Sequence, residues 1–575
     1  MYTIAINALV VALGLVVTLR LLKGRGLQCI GLAPHQVLFP GPSTVPFFGN
    51  LLELRHGHAR CLARWADTFG PIMRIVLGDR EAVVLNTHEA VQRTLIAQGQ
   101  AFQGRPETRE YHGFFTVVAG EHESPPTIGT SPWTSQVSAH RKHLGLQITG
   151  NKHRRYDAFV ARRLHGFISL LASDAKKGPR DMAAAAWTTT MGLSVDMCFG
   201  THISDADARA MADIELEIFR GPRSIGQPLH AAVPLLTIGQ KILRPAHDIL
   251  GAIGLAGFLD DIIRGEDAAK ALRATEIGYA ARLKDGLHTR IRAGDTTPSQ
   301  LGDILRAEGD SYPSANEYKV ALSLISTGTG VGTLVLWTAG LLASRLDLQA
   351  TAMQAIQAEY GDAIPDPLDT GRVEYIAALG TEAGRYFASL TLGFPRETIE
   401  DVEVGGVSIP KGTIVMHNTF SINRDPARYD RPDEFLPERW CNGHYGRVAQ
   451  KDPRVGVAHM NNGVGRRQCL GMPYVNKTLY GMIILLVRFF KLERAELDEE
   501  GRKEVFPAYR ATGTDASAEM DPITDQALEC AAQALPRATG VRLIPRDSAE
   551  LAHWLDGGYE SSGYFGSQEM DEGSR

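Results

Sequence analysis

Cys469 closes a glycine-rich stretch, Asn461-Asn462-Gly463-Val464-Gly465-Arg466-Arg467-Gln468-Cys469-Leu470-Gly471. An apolar run that reads as a helix begins near Pro473, so a thiolate at Cys469 would lie at a helix N-terminus. There the macrodipole and the free N–H groups favour negative charge. A cysteine thiolate held in this way is an axial ligand for haem iron and pushes electron density towards O–O cleavage. Arg467, two residues earlier, faces the same side of the loop and is a candidate partner for a haem propionate. Gly463, Gly465 and Gly471 lack a Cβ and would let the backbone lie close against a flat ligand. The stretch by itself also fits a buried structural cysteine in an ordinary glycine turn, so other landmarks must decide.

Three further constellations lie upstream. From Tyr375 to Tyr386 the pattern is helical, and Glu382 and Arg385, three apart, can meet on one face. Such a pair is ordinary alone. Its weight comes from the order of the segments downstream of it: Phe394-Pro395-Arg396, then Pro437-Glu438-Arg439-Trp440, then the cysteine stretch. The second constellation is the apolar run from Val320 to Leu346, too long for a typical globular helix and expected to cross the interior. Ser314 and Glu317 read as its capping box. Its middle, Ser326-Thr327-Gly328-Thr329-Gly330-Val331-Gly332-Thr333, holds three glycines. Each costs roughly 0.8–1 kcal/mol against alanine in a helix interior, which reads as room made for a ligand. The third is Thr127-Ile128-Gly129-Thr130-Ser131-Pro132-Trp133, leading into a basic helix with His140, Arg141, Lys142 and His143. Trp133 and Arg141 on one helix can grip a propionate by N–H donation and charge, and a solvated basic face is the other reading.

Taken in this order, the stretches resemble the cytochrome P450 family. Its haem loop reads F-x-x-G-x-R-x-C-x-G. Gly465, Arg467, Cys469 and Gly471 match, and Asn462 stands where the family has Phe. Glu382 and Arg385 match the family's E-x-x-R helix. Pro437 to Trp440 match its P-E-R-F segment, whose arginine, here Arg439, completes a Glu–Arg–Arg cluster. Arg396 corresponds to an arginine that binds a propionate. Trp133 and Arg141 are similar to its W-x-x-x-R helix, with Arg141 eight residues after Trp133 instead of four. The pattern departs at the oxygen-binding helix, where the family has an acid–alcohol pair that relays protons. Aligned on Gly328, the acid position holds Gly330 and the threonine position Val331. Thr327, four residues before Val331 and on the same helical face, is a candidate replacement hydroxyl, with Gly328 and Thr329 beside it as catalytic candidates. The segments Thr127–Trp133, Asn476–Tyr480 and Asp521–Arg546 look closest to the fungal phenylacetate hydroxylase-like branch, which also holds tailoring oxidases of secondary metabolism.

The resemblance implies a mostly α fold with a smaller β region on the N-terminal side and haem b (iron protoporphyrin IX) bound by Cys469. It also implies monooxygenation of a small organic substrate with O₂ and electrons from NADPH–cytochrome P450 reductase. Two rivals arise from the missing acid–alcohol pair: rearrangement, ring modification or dehydration on the same haem, and a non-catalytic haem protein. A phosphate loop at Gly463-Val464-Gly465 is disfavoured, because the Lys-Ser/Thr ending of that pattern is absent.

Other elements must position these residues. The chain has 575 residues, 44% hydrophobic, enough for a large core, and shows no internal repeat. A net charge of −5 without a basic block argues against nucleic acid as a partner. Six scattered cysteines without metal-finger spacing give a reduced-thiol pattern. Ile4 to Val17 is nearly continuously apolar and is followed by Arg20, Lys23 and Arg25. Residues 1–24 therefore read as an uncleaved membrane anchor with its basic flank cytoplasmic, as at the endoplasmic reticulum. Residues 25–50, with Phe39-Pro40-Gly41-Pro42, read as a stiff proline-rich hinge, 51–555 as the catalytic domain and 556–575 as a disordered tail. Within the domain, His58–Phe69 reads as a helix, and residues 72–85 as a hairpin before a helix capped by Asn86 and Glu89. Asp181–Gly294 reads as a helical substrate roof, Val402–Lys411 as a hairpin turning at Gly405-Gly406, and Ala538–Pro545 as a last strand.

Overall fold

The computed structural model describes residues 37–45, 48–54, 57–78, 80–106, 127–148, 150–220, 257–441, 458–505, 517, 519–527 and 533–557. The expected anchor, residues 1–24, lies outside the described residues. In chain order the main elements begin with α1 (His58–Phe69), β1 (Ile72–Leu77), β2 (Arg80–Leu85), α2 (Ser135–Ile148), α3 (Asp157–Ala175), β3 (Arg180–Asp181) and α4 (Ala183–Phe199). Next come α5 (Asp205–Arg220), α6 (Gly257–Arg292), α7 (Ser314–Ile325), α8 (Gly330–Ser344), α9 (Leu346–Tyr360) and α10 (Glu374–Phe387). The chain continues with β4 (Arg396–Glu397), β5 (Val402–Val404), β6 (Val407–Ile409), β7 (Ile414–His417), α11 (Met472–Phe489), β8 (Phe490–Arg494) and β9 (Gly540–Pro545). The fold is mostly helical with a smaller sheet region, as expected.

Helices that are apolar on every face belong in an interior, and α8 and α11 are of this kind. All of α8 from Gly332 to Ala343 is buried, and so is α11 from Lys477 to Phe489. They share one core with α3, α4 and α10. The 31-residue run Ser314–Ser344 is apolar enough to span a bilayer, yet 67% of its most apolar window is buried inside the protein. Its apolarity is thus spent on the core.

A four-stranded sheet, ordered β1-β2-β7-β4, lies beside the helices and carries Arg396 at its edge. β1 and β2 pair antiparallel from Ile72↔Leu85 to Leu77↔Arg80, and β7 joins β2 in parallel. β4 pairs with β7 at Arg396↔Val415. The proline-rich stretch packs along this sheet: Arg74 N–H donates to the Pro40 carbonyl (2.9 Å), and a Cβ on Gly41 would stand 2.0 Å from the Arg74 carbonyl. β5 and β6 form the expected hairpin, with Gly405 and Gly406 at φ 60° and 81°. β9 lies between β3 and β8.

The structure corrects the long helix. It is interrupted at Ser326–Thr329, where Thr327, Gly328 and Gly330 N–H groups bond three residues back, to Leu324, Ile325 and Thr327 carbonyls. Two of its glycines serve helix packing and make no ligand room. A Cβ on Gly328 would meet Met191 Sδ at 2.8 Å, and one on Gly332 would meet Trp187 Cδ1 at 2.5 Å, both on α4. Gly330 alone of the three has nothing within 4 Å of its Cβ position. Gly332→Ala should therefore destabilise the protein by about 1–3 kcal/mol through overpacking against Trp187. Gly330→Ala should be neutral or stabilise by up to about 1 kcal/mol. Urea unfolding of the two variants checks this, and equal midpoints would refute the packing role of Gly332.

Both expected capping boxes also differ. Pro313 occupies the N-cap of α7, and Glu317 bonds instead to His288 Nε2 (2.8 Å). At His88 the cap is Thr87, whose hydroxyl accepts from Ala90 N–H, while the Asn86 side-chain oxygen accepts from Asn418 (3.0 Å). Glu317 and Asn86 have found partners remote in sequence, which local patterning does not reveal, whereas Glu89 pairs with Arg93 one turn on.

Candidate active site

The cysteine stretch enters its turn through Gly463 and Gly465, at φ 69° and 63°, in the left-handed region that favours glycine. A Cβ on Gly465 would stand 2.5 Å from the Leu95 carbonyl, so this glycine is required by the protein's own backbone rather than by a flat ligand. Cys469 N–H donates to the Asn462 carbonyl (3.0 Å), which closes the turn. Gly471 is the N-cap of α11, with ordinary space around its Cβ position. Its N–H and that of Met472 point at the Cys469 sulfur and draw its pKa down, as does the nearby Arg141 guanidinium. Burial is the larger effect and pushes the thiol up. The sulfur has the surroundings of a ligand whose charge depends on a bound cation.

Four guanidinium groups converge beside it. Arg467 Nη2 donates to the carbonyls of Gly129 (3.0 Å) and Ser131 (2.9 Å) in the turn before Trp133, and its guanidinium lies 5.3 Å from the Trp133 ring centroid. Arg396 Nη2 donates to the Val464 carbonyl (2.7 Å). Arg141 Nη2 donates to the Gln468 carbonyl (2.7 Å), so α2 holds down the cysteine stretch. Arg105 binds the carbonyls of Gly129, Phe394 and Pro395 at 2.9, 2.6 and 2.7 Å. Burial with the like charges of Arg105 and Arg141 brings the Arg467 pKa down to about 8. Burial with Arg467 and Arg141 brings Arg396 down to about 9. Arg467 Nε and Nη1 and Arg396 Nε are buried and find no acceptor among the described residues. A buried set of cations with spare donors calls for an anion. Haem b fits this site, with a thiol for its iron and guanidinium groups for its two propionates.

Sequence reasoning places Cys469, Arg467, Arg396 and Arg141 at one site, and the structure brings them together. Trp133 is corrected in one respect: it precedes α2, which starts at Ser135, so tryptophan and arginine do not share a helix. Arg105 was missed. Its only sequence signal is the position before Pro106, which carries no periodicity.

Across the break, the two candidate threonines part. Thr327 is exposed, and its hydroxyl donates to the Leu324 carbonyl (2.7 Å). Thr329 is buried and donates to Gln533 Oε1 (3.2 Å). The expectation that Thr327 shares a helical face with Val331 fails, because the helix is interrupted between them. Gly328 is packed on Met191.

Behind the site, Glu382 of α10 accepts five hydrogen bonds. Arg385 Nη2 (2.7 Å), Leu436 N–H (2.8 Å) and Arg439 Nε (3.0 Å) meet Oε1. Arg385 Nε and Trp440 Nε1, both at 2.8 Å, meet Oε2. The expected Glu–Arg–Arg cluster is present, and Trp440 adds a donor that was not foreseen.

This geometry agrees with what the chain resembles. The sequence profile of the cytochrome P450 family matches residues 39–252 and 313–509, so the chain belongs to that family. Its members bind haem b through a cysteine thiolate and act as monooxygenases. The chain is similar to 3-hydroxyphenylacetate 6-hydroxylase of Emericella nidulans, 26% identical over 525 residues and 90% of each chain. It is similar to phenylacetate 2-hydroxylase of the same organism, 26% identical over 527 residues, 90% of this chain and 92% of the relative. It also resembles ferruginol synthase of Isodon rubescens, 28% identical over 480 residues, 81% of this chain and 91% of the relative. These names favour an oxidising enzyme over the rearrangement and non-catalytic readings.

Proposed function

We propose that this protein hydroxylates a small aromatic or otherwise apolar molecule, with electrons drawn from NADPH through a membrane-bound cytochrome P450 reductase. The observation that supports this most is the meeting of Cys469, two helix N–H groups aimed at its sulfur, and four converging guanidinium groups. Bound there, haem b supplies the activation of O₂, and the chain supplies orientation, charge and exclusion of water. Gly471 and Met472 N–H groups hold negative charge on the sulfur. Arg467, Arg396, Arg105 and Arg141 hold the propionates, and Trp133 braces Arg467. Thr327 handles the proton: its hydroxyl is the exposed one at the helix break, and it keeps a lone pair free for a second partner.

The substrate class rests on the relatives named for phenylacetate and 3-hydroxyphenylacetate, and a tailoring step in secondary metabolism suits the same chemistry. Residues 1–24 serve as an anchor in the endoplasmic reticulum membrane and 25–50 as its hinge. The catalytic domain, 51–555, faces the cytoplasm, and 556–575 is a tail. Haem-loaded protein incubated with reductase, NADPH, isotopically labelled O₂ and a panel of phenylacetates should give a product carrying one labelled oxygen atom. Thr327→Ala should lower product formed per NADPH by ~10-fold or more, the lower range for a lost proton-transfer group being still larger. Product formed without label and without NADPH use would overturn the hydroxylase reading, and unchanged coupling in Thr327→Ala would remove that residue from it.

A further inference from the structure

Behind the exposed side of the helix break lies a closed ring of buried hydrogen bonds. Thr329 is the N-cap residue of α8, but its hydroxyl makes no capping bond to the helix. It donates to Gln533 Oε1 (3.2 Å). Gln533 Nε2 donates in turn to Thr333 Oγ1 (2.7 Å) and to the Thr329 carbonyl (3.4 Å). Thr333 Oγ1 donates to the same carbonyl (3.0 Å) and accepts from Trp187 Nε1 of α4 (3.2 Å). Gln533 is only 2% exposed. An amide buried this deeply is costly unless both its ends are bonded, and here both are.

The next residue extends the connection. The Ala534 carbonyl accepts from Trp337 Nε1 of α8 (2.9 Å), and Ala534 N–H donates to the Ser389 carbonyl just after α10 (2.8 Å). Ser389 Oγ and Leu390 N–H both bond to Asn461 Oδ1, at 3.2 and 3.1 Å. Asn461 opens the cysteine stretch. A two-residue strap, Gln533-Ala534, therefore joins the interrupted helix to the loop that bonds Asn461. Residues 329, 333 and 337 face this strap, 328 and 332 face α4, and 327 is exposed.

We propose that Gln533 is a positioning residue for the reaction. Its amide fixes the Ser326–Thr329 turn from behind, so that Thr327 and Gly330 keep their place relative to Cys469. The glutamine works through the Thr329 and Thr333 hydroxyls and does not touch the reacting atoms. This rests on the reading of Cys469 as the haem ligand and of Thr327, at the helix break, as the hydroxyl that handles the proton.

The test uses the full-length, haem-loaded protein and imidazole, a small ligand that reaches haem iron from the side opposite the thiolate. Gln533→Leu removes all three bonds of the amide and is expected to shift the imidazole dissociation constant by about tenfold or more, since one lost buried hydrogen bond is worth up to about that factor. Thr329→Val should shift it in the same direction, and the double variant should shift it no further than Gln533→Leu alone, because the bond that Thr329→Val removes is one of those already lost in Gln533→Leu. A merely structural glutamine would lower the unfolding temperature and leave imidazole affinity where it was, and that result overturns the proposal, as do additive shifts. If Gln533→Leu yields no folded protein, Thr329→Val decides alone, and wild-type affinity in that variant overturns the proposal. The reduced carbon monoxide spectrum of the wild type, read first, separates failure of the haem reading from failure of this one.

Discussion

A Cys469→Ser protein is expected to fold and to retain haem only weakly. The thiolate-type Soret band of its reduced carbon monoxide complex should be lost, and turnover should fall to background. The exchange is nearly isosteric, and apart from the Gly471 and Met472 N–H groups aimed at the sulfur, the bonds that shape the loop do not involve the side chain. Cys469 N–H still reaches the Asn462 carbonyl, Arg141 still holds the Gln468 carbonyl, and Arg396 still holds that of Val464. The anion site is untouched, since the spare donors of Arg467 and Arg396 belong to side chains elsewhere. Only the axial bond is lost. A serine hydroxyl holds its proton far more tightly than a thiol, and even the thiol here is pushed up by burial. The N–H groups of Gly471 and Met472 can stabilise a charge that a cation has made, but they cannot make it for an alcohol. Without a thiolate, the electron density that favours O–O cleavage is gone. An unchanged spectrum in Cys469→Ser would mean that some other sulfur, or none, binds the iron, and the assignment of the site would fall with it.

What the sequence discloses divides along a physical line. Cys469, Glu382, Arg385 and Arg439 are legible because their chemistry fixes residue type, and their spacing reflects one loop or one helical turn. α8 and α11 are legible because a run apolar on every side has nowhere to go but the interior. The interruption at Ser326–Thr329 is not legible, because a Ser-Thr-Gly-Thr stretch between two apolar runs fits a continuous helix with room for a ligand as well as it fits a break. Its glycines are read as room for a ligand, whereas Gly328 and Gly332 admit Met191 and Trp187 from a helix more than a hundred residues earlier. Arg105 and Gln533 escape for the same reason: what makes them matter is a set of carbonyls and hydroxyls distant in sequence. Caps fail likewise, since Glu317 prefers His288 to the helix start. Local chemistry can be read from one strand of text, but partners brought together by folding cannot.

Glu382→Ala is expected to be the most destabilising single substitution outside the cysteine loop, costing about 3–5 kcal/mol. That is the usual penalty for leaving a buried charge without its partner. Total stabilities lie around 5–15 kcal/mol, so the variant should accumulate poorly and hold little haem. Glu382 and Arg385 are both fully buried, and every donor aimed at the carboxylate would be stranded at once. By contrast, removing Glu499 from its exposed pair with Lys503 (2.9 Å) should cost no more than about 0.5 kcal/mol. Arg439→Ala should fall between the two. Its loss still leaves Glu382 the bidentate partner Arg385, but it takes away the donors to the Asp430 and Arg431 carbonyls. Replacing a buried ion pair by apolar residues of similar volume is often neutral, but Glu382→Leu with Arg385→Met should not be neutral here. Arg385 also bonds the carbonyls of Asn423 (3.0 Å), Pro432 (2.6 Å) and Glu434 (2.7 Å), which lie on the segment that leads to the cysteine stretch. The double variant trades one stranded charge for three stranded carbonyls and three stranded donors (Leu436 N–H, Arg439 Nε and Trp440 Nε1), each costing about 1–3 kcal/mol unless the segment moves to meet water. Haem content and denaturant midpoints of the set order these effects. A double variant as stable as wild type would show that the cluster is an ordinary ion pair and does not clamp the segment that delivers Cys469.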